Sequence, residues 1–467
     1  MRVNRFISYI FFSFFLLNLT SCSKDDTTIP SDPFVVAFED LSANLGTIGR
    51  TMEIPLVFST TAAQNGSFTL SISSINATYG EDFTTIPAAN RNEITFSINS
   101  GTEGTSFVFN KLNQNLDETS QILFTISQID YEASNIQGNA SYTISNSASL
   151  GKAIAPELGG PNEGNQIYID LSTEAETIVK RDSWDLGFYS GGDFRVGING
   201  SIYMAAASLE STNIDEITEA DVIDLQPQVA IGTFDPNNAI YVDNPNGDIL
   251  GTAVEEISIT ESENKVYLLN LGYEVGTDTP DSGSVAVAGD ARGWKKIRIL
   301  REGDDYLLQY ADLNDTSHQE VRISKNTDYN FTFFSFHTNT VVAVEPEAPK
   351  WDIVFTVFTN VIDGAGSYGF SDGVLHNGKS GVQAYEVTTD LFSYESFSLN
   401  NISTSSFGDD QRAIGSNWRD VFDGVPFFDR FYIVKDSNDT IYKIKFLALA
   451  NDNGERGYPE FEYQLLE

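Results

Sequence analysis

The single cysteine of the chain, Cys22, closes the tetrapeptide Leu19-Thr20-Ser21-Cys22. Small residues ahead of a cysteine at this distance from the start are typical of the lipobox, in which the thiol receives a diacylglycerol. An apolar run at residues 7–17 follows Arg2 and Arg5, and it is shorter than the about 20 residues of a transmembrane helix. The sequence therefore predicts a signal peptide at residues 1–21 and lipidation of Cys22.

The residues behind Cys22 indicate where the mature chain resides. Ser23-Lys24-Asp25-Asp26 is similar to the export signal of Bacteroidota surface lipoproteins, a lysine followed by an acidic pair. Residues 22–33 are polar and contain proline, which is typical of a tether. We expect the protein to be anchored in outer-membrane lipid through Cys22 and exposed at the cell surface.

The charge of the chain narrows the classes of partner. The formal net charge is −39, and removing residues 1–21 takes away two arginines and no acid, which makes it −41. So negative a surface argues against nucleic acid and anionic lipid as partners. With one cysteine no disulfide can form within the chain, and 33 phenylalanines and 20 tyrosines favour β-sheet cores.

No motif for catalysis stands out. A nucleophile elbow, a zinc-ligand spacing and a phosphate-binding loop are all missing from the sequence. Acidic pairs such as Asp409-Asp410 are too common in this chain to nominate a glycosidase pair. We therefore expect a protein that is not an enzyme.

Residues 34–148 predict an N-terminal β-sandwich, because short runs of alternating polar and apolar residues, such as 93–98 and 122–126, are separated by turns. Residues 77–83 (Ala-Thr-Tyr-Gly-Glu-Asp-Phe) and 115–118 (Asn-Leu-Asp-Glu) resemble the turn and the acidic stretch of the Calx-β family.

This resemblance implies a sandwich in which acidic loops bind calcium in some members. The candidate ligands here are Asp82, Asp117 and Glu118, to which Glu39 and Asp40 could add oxygens. Calcium needs 6–8 converging oxygens, and spacing along a chain does not show convergence. A structural spacer with ordinary surface acids is the favoured alternative.

Residues 149–467 predict a second, larger β-rich domain. Residues 294–301 and 305–311 are typical of a hairpin, 213–220 of a short helix, and the Gly-Pro-Asn-rich stretch at 159–165 of a linker or entry loop. The pentapeptide Trp184-Asp185-Leu186-Gly187-Phe188 is echoed by Trp351-Asp352-Ile353-Val354-Phe355. We interpret the echo as two similar strands of one sheet.

Several stretches of this domain resemble the HmuY-like haem-binding surface lipoproteins of Bacteroidota. They are residues 167–172 (Ile-Tyr-Ile-Asp-Leu-Ser), 181–188 (Arg-Asp-Ser-Trp-Asp-Leu-Gly-Phe), 293–298 (Gly-Trp-Lys-Lys-Ile-Arg), 350–355 (Lys-Trp-Asp-Ile-Val-Phe) and 454–459 (Gly-Glu-Arg-Gly-Tyr-Pro). The resemblance implies an all-β domain that binds haem for iron acquisition, with an outer-membrane haem receptor as a further partner.

A haem needs one or two axial ligands, which the family supplies as histidine or methionine. The candidates in this chain are His376, in a glycine-flanked loop, His337, after an aromatic run, and Met204; His318, in a polar turn, is the weakest. A loop histidine is more often a surface residue, and a methionine more often fills a core. Tyr189 and Tyr203 are further, weaker candidates.

Two alternatives to haem capture stay open at this point. One is a surface lipoprotein that binds carbohydrate or protein, with the N-terminal sandwich lifting its binding head from the membrane. The other is an envelope protein with a structural role and no small ligand.

Overall fold

The computed structural model describes residues 33–45, 48–113, 116, 120–145 and 150–466. Strands dominate this part of the chain, so the predicted all-β fold is confirmed. The one α-helix found there is a single turn, α1 (Glu219–Val222), and in these ranges no helix has the length and apolar character that crossing a membrane requires.

Nine strands form the N-terminal sandwich. They are β1 (Val36–Phe38), β2 (Ser42–Asn44), β3 (Thr51–Phe58), β4 (Gly66–Ile75), β5 (Phe83–Ile86), β6 (Glu93–Ile98), β7 (Gly104–Lys111), β8 (Gln121–Asp130) and β9 (Ser141–Ser145). One sheet has the order β1-β3-β7-β5 and the other β2-β9-β8-β4-β6. Alternate side chains of β6 are buried, as the period of a strand with one solvated face requires.

The larger domain adds 22 strands to the described part of the chain. They are β10 (Ala153–Ile154), β11 (Asn165–Asp170), β12 (Ala175–Lys180), β13 (Leu186–Tyr189), β14 (Val196–Ile198), β15 (Ala205–Ser208), β16 (Val266–Asn270), β17 (Tyr273–Val275), β18 (Ala288–Ala291), β19 (Trp294–Glu302), β20 (Asp305–Ala311), β21 (Gln319–Ile323), β22 (Phe331–Ser335), β23 (Thr340–Val342), β24 (Ile353–Ile362), β25 (Gly366–His376), β26 (Gln383–Thr388), β27 (Arg419–Asp420), β28 (Val425–Pro426), β29 (Arg430–Lys435), β30 (Ile441–Ala450) and β31 (Arg456–Leu465).

These strands build two further sandwiches. The first consists of the sheets β10-β31-β30-β29-β26 and β12-β11-β24-β25, which share a core around Phe355, Tyr432 and Phe461. The second consists of β14-β13-β22-β23 and β15-β16-β19-β20-β21, with a core around Phe188 and Leu308. A small cluster that includes Tyr168, Phe333 and Trp351 joins the two sandwiches.

Two predictions about local structure need correction, and one holds. The hairpin is confirmed, because β19 and β20 pair across Gly303. The Trp-Asp strands do not lie in one sheet, since β13 and β24 belong to different sandwiches. The predicted helix is instead a 3₁₀ turn at Ile214–Glu216 followed by the single-turn helix α1.

The described part of the chain contains further 3₁₀ turns outside this segment. They are Gly160–Asn162, Gly200–Ile202, Pro236–Tyr241, Ile249–Gly251, Glu261–Glu263, Gly378–Ser380 and Leu399–Asn401.

The stretch at 159–165 is part of the larger domain and not a free linker. Glu163 is completely buried, and its backbone oxygen accepts a hydrogen bond of 2.7 Å from Nε of the buried Arg181. A guanidinium has five N–H donors, so its burial requires several nearby carbonyls. This turn supplies those of Asn162 and Glu163, and Ser201 and Val287 supply two more. Of the two interpretations, a linker and an entry loop, the free linker is therefore wrong, because composition does not show that requirement.

Candidate functional site

A cavity lies between the two sandwiches of the larger domain. Its volume is about 180 Å³. Aromatic rings on or just before four strands form one part of its wall, and polar side chains, most of them from loops, form the rest. The aromatic residues are Tyr168, Trp184, Phe331, Phe333 and Trp351, and the polar ones include Asp243, Asn330, Glu345, His376, Lys379 and Gln411.

The two tryptophans differ in their hydrogen bonding. Nε1 of Trp184 donates to Oε1 of Gln166 over 2.9 Å. Nε1 of the buried Trp351 has no partner within the described residues, although its ring packs edge-on against Tyr168 at 5.0 Å. A buried N–H without a partner is costly, so the Trp351 indole is a donor that a guest in the cavity could satisfy.

His376 is the last residue of β25, where it is paired with Ile353 of β24. Its side chain is 2% exposed, and neither ring nitrogen has a hydrogen-bond partner in the described part of the chain. Burial lowers the pKa of His376 to about 4, so the imidazole is neutral at physiological pH. Neutral imidazole is the form that binds metals through its ring nitrogen.

Three charged residues complete the wall. Burial raises the pKa of Glu345 to about 7 and that of Asp243 to about 6. Burial lowers the pKa of Lys379, while these two carboxyl groups oppose that effect. The lysine Nζ lies 5.3 Å from the centre of the Phe331 ring. The cavity thus combines one ammonium with two carboxyl groups that titrate in or near the physiological range.

A turn at residues 244–248 is hydrogen-bonded to two residues of the cavity wall. Lys379 Nζ donates to the oxygen of Gly247 over 3.2 Å, and Gln411 Nε2 donates to the oxygen of Pro245 over 3.0 Å. The turn also borders a second space of about 530 Å³, which shares Lys379 and Gln411 with the cavity and is lined by Asp248 and Tyr189 as well. The two spaces therefore adjoin each other at Lys379 and Gln411.

The structure separates the haem-ligand candidates. His376 lines the cavity, whereas the fully buried Met204 lines a neighbouring one of about 190 Å³ that shares Trp184 and Asp243 with it. His337 is exposed in the turn between β22 and β23 and lines neither cavity. His376 and Met204 are thus brought into one region of the domain, and His337 is not brought to them.

His318 has its own partners. Its Nδ1 lies 2.9 Å from Asp215 and its Nε2 lies 3.3 Å from Glu320. With both ring nitrogens engaged by carboxylates on the surface, this histidine is not presented to a cavity, as its polar turn predicted.

The calcium candidates are not gathered into a site in the part that the structure describes. Asp82 accepts hydrogen bonds from the Thr78 backbone N–H at 2.8 Å and from Asn113 Nδ2 at 2.9 Å, and these bonds lower its pKa. Asp117 and Glu118 lie outside the described residues, as does the lipidation candidate Cys22. No group of three or more His, Cys, Asp or Glu side chains with metal-binding geometry occurs within 33–45, 48–113, 116, 120–145 and 150–466.

Several residues of the site were not predicted as functional. Trp184 and Trp351 carried a signal, the repeated Trp-Asp pair, but its relation to a cavity was not recognised. Asp243 and Gln411 carried none, because they come from loops 168 residues apart that meet only when the two sandwiches pack together.

Comparison with solved structures gives weak similarities. The Calx CBD1 domain is 13% identical, with 24% of this chain and 96% of that one covered at a TM-score of 0.20. The calcium-binding domain CBD12 of CALX1.1 is 10% identical, and the alignment covers 59% of this chain and 79% of that one at a TM-score of 0.19. A protein from Bacteroides ovatus, proposed to bind carbohydrate, is 10% identical, and the alignment covers 73% of this chain and 96% of that one at a TM-score of 0.17.

The family comparison covers most of the larger domain. No curated protein sequence matches the chain. The family model described as HmuY protein matches residues 162–317 and 327–463, which is more than half of the chain. These ranges include every residue of the cavity wall and most strands of both sandwiches, with β10 and β21 outside them. The resemblance of the sequence is thereby confirmed, and the chain belongs to the HmuY family.

Proposed function

We propose that this protein binds haem in its larger domain and that His376 is an axial ligand to the iron. The observation that carries the proposal is the buried, neutral imidazole with two unpaired ring nitrogens inside a cavity with aromatic walls. Membership of the HmuY family makes haem the ligand to test first.

The residues of the cavity fit the parts of a haem. The macrocycle is a large apolar ring, for which Tyr168, Phe331 and Trp351 offer aromatic surface. The propionates need cationic or N–H partners, which Lys379 and the Trp351 indole would supply. Iron needs a nitrogen or sulfur ligand, and His376 offers nitrogen without first losing another hydrogen bond.

The size of the cavity sets a condition on this binding. Its 180 Å³ is below the roughly 300–1,000 Å³ of typical ligand pockets. We propose that a porphyrin enters when the turn at 244–248 moves outward, which breaks the side-chain bonds from Lys379 and Gln411. The adjoining space of about 530 Å³ then becomes part of the site.

A haemin titration followed through the Soret band tests the proposal. The parent chain should give a sharp, shifted band, and His376→Ala should lose it. His337→Ala is the matched control and should bind as the parent does, because His337 is exposed and outside the cavity. A band that survives His376→Ala but not His337→Ala would place the iron at the exposed turn instead.

Met204→Leu tests the neighbouring cavity without emptying the core. If the thioether binds iron, this change should weaken the ferrous complex more than the ferric one, because sulfur is a soft ligand. An unchanged spectrum in both states would assign Met204 to packing alone.

The remaining sequence-based expectations form part of the same proposal. Lipid attachment at Cys22 would hold the protein in the outer membrane, where it would capture haem for a membrane receptor. Ligand binding is the proposed role, since the cavity offers an iron ligand and ring surface.

A small hydroxyl-rich ligand, such as a single sugar ring, is the second candidate. The present volume suits it without movement of the turn, and amide and carboxyl groups from Asp243, Asn330 and Gln411 stand beside flat aromatic walls. Calorimetry with a sugar panel separates the two functions: sugar binding together with a broad, unshifted haemin spectrum would favour this candidate over haem.

A further inference from the structure

An exposed apolar patch lies at one end of the sheet β10-β31-β30-β29-β26, away from the residues of the cavity wall. It consists of large side chains from two segments, namely Leu391, Phe392, Val421, Phe422, Val425 and Phe428. Phe422 is 97% exposed, Phe428 70% and Leu391 69%. Scattered apolar residues on a surface are normal, whereas a contiguous group of this kind marks an interaction site.

Backbone hydrogen bonds make the two segments neighbours. The N–H of Thr389 donates to the oxygen of Asp429 over 2.8 Å, which sets the 389–392 segment beside Phe428. At the base of the hairpin β27–β28, the backbone N–H of Phe427 donates to the backbone oxygen of Trp418 over 2.8 Å. The tip of this hairpin carries Phe422. The two segments of the patch are therefore adjacent where Thr389 meets Asp429.

The hairpin that presents Phe422 is firmly anchored. The fully buried Trp418 at its base stacks on Phe446 at 4.2 Å, and its Nε1 donates to the oxygen of Asp372 over 2.9 Å. Arg419 donates from Nη2 to the oxygen of Ser371 over 2.6 Å. A tip held in this way loses little conformational entropy when a partner covers it.

Two acidic residues stand next to the apolar side chains. Asp390 and Asp423 are exposed beside Leu391 and Phe422. Asp429, beside Phe428, is paired with Arg430 at 2.8 Å. Acids at these positions repel anionic lipid headgroups. They also disfavour pairing of two copies of this chain through the patch, since each copy would bring the same acids to the contact. A basic surface with an apolar centre is complementary to this arrangement.

We propose that this patch docks a protein partner that has an apolar pocket rimmed by lysine or arginine, with Phe422 inserted into the pocket. The aromatic side chain would act as the central anchor, and the neighbouring carboxylates would steer the partner into register. This surface is separate from the cavity, so the inference does not depend on haem binding.

The test is photo-crosslinking on the full-length chain in the cell that produces it, with benzoylphenylalanine in place of Phe422. The control carries the same probe in place of Ile259, another highly exposed apolar residue, on a different part of the domain. We expect one predominant protein adduct from the first position, at least about tenfold above the control, as for a hot-spot residue. The crosslinked peptide of the partner should be rich in lysine or arginine.

Charge reversal separates this interface from nonspecific apolar contact. D390K/D423K should reduce the adduct about tenfold, while D278K/D281K, with the same change in net charge on an exposed loop elsewhere, should leave it unchanged. The proposal is overturned by an adduct no stronger than the control, by equal effects of the two double variants, or by adducts to lipid or to a second copy of this chain.

Discussion

Asp185 and Asp352 occupy equivalent positions in two different sheets. Each aspartate is buried and follows a tryptophan that lines the same cavity. Asp185 immediately precedes β13, and Asp352 immediately precedes β24. Oδ2 of Asp185 accepts a hydrogen bond from the Phe336 backbone N–H over 2.6 Å, and Oδ2 of Asp352 accepts one from the Leu171 N–H over 2.8 Å. In both cases the donor follows the neighbouring strand, which is the structural basis of the repeated Trp-Asp motif.

The two carboxyl groups differ in their second partner. Oδ1 of Asp185 lies 2.7 Å from Nη1 of the buried Arg292. Burial, together with the nearby Asp170 and Asp436, raises the pKa of Asp352 to about 8. The same local motif therefore holds a paired carboxylate in one sheet and a predominantly protonated carboxyl in the other at neutral pH.

Asp185→Asn should destabilise the protein by about 3 kcal/mol, because it leaves the Arg292 guanidinium buried without its counter-charge. Urea denaturation of the parent and the variant measures the difference. Glu274→Gln is the control: Glu274 is a second, mostly exposed partner of Arg292 at 3.5 Å, and its loss should cost under about 1 kcal/mol. Equal losses in both variants would contradict the assigned role of Asp185.

Stability should fall as the pH rises from about 4 to about 8. The pKa values of Asp352 and Glu163 are raised to about 8 in the folded state, above the roughly 4 of an unfolded chain. Their stabilising effect is complete below the unfolded value and is lost as the pH passes through the folded one, by at most about 1.4 kcal/mol per pH unit for each group. Asp352→Asn should flatten this profile in denaturation curves; an unchanged slope would show that Asp352 ionises normally.

Gln411→Ala should accelerate haem uptake by about fivefold, given the proposed site, because it removes the side-chain bond to Pro245 that helps hold the 244–248 turn. Stopped-flow absorbance at the Soret band measures the rate. Gln383→Ala removes a surface bond to Asp409 instead and should leave the rate unchanged. Identical rates for parent and Gln411→Ala would mean that the turn does not control access.

The N-terminal sandwich and the larger domain should fold separately. The buried core of the sandwich lies entirely within residues 34–144, and the other apolar clusters lie entirely from Ile154 onward. Fragments 33–148 and 149–467 should each give a cooperative thermal transition close to one seen in the whole chain. If either fragment lacks a transition, the two units depend on each other for stability.

Cys22→Ser should release the protein from membranes into the soluble fraction, because the change removes the thiol that would carry the lipid. Fractionation of expressing cells measures the distribution. A Ser23→Ala variant controls for disturbance of the export signal and should remain in the membrane fraction. Retention of Cys22→Ser in membranes would rule out the proposed anchor.

The sequence alone determined the β architecture and the family. Alternation of polar and apolar residues over runs such as 93–98 reports a strand directly, since its period of two is local. The hairpin across Gly303 was equally predictable, because two strands joined by a short loop need no distant partner. Family membership followed from conspicuous local stretches such as 184–188 and 350–355.

Only the tertiary structure decided which residues share a site. His376 could be nominated from sequence, but its burial and its two unpaired nitrogens depend on packing between the sandwiches. Asp243 and Gln411 reach the same cavity from distant loops, and the two Trp-Asp strands meet there from separate sheets. Local sequence patterns specify strands because strand geometry repeats every two residues, whereas a cavity depends on contacts between distant segments whose positions no local pattern encodes.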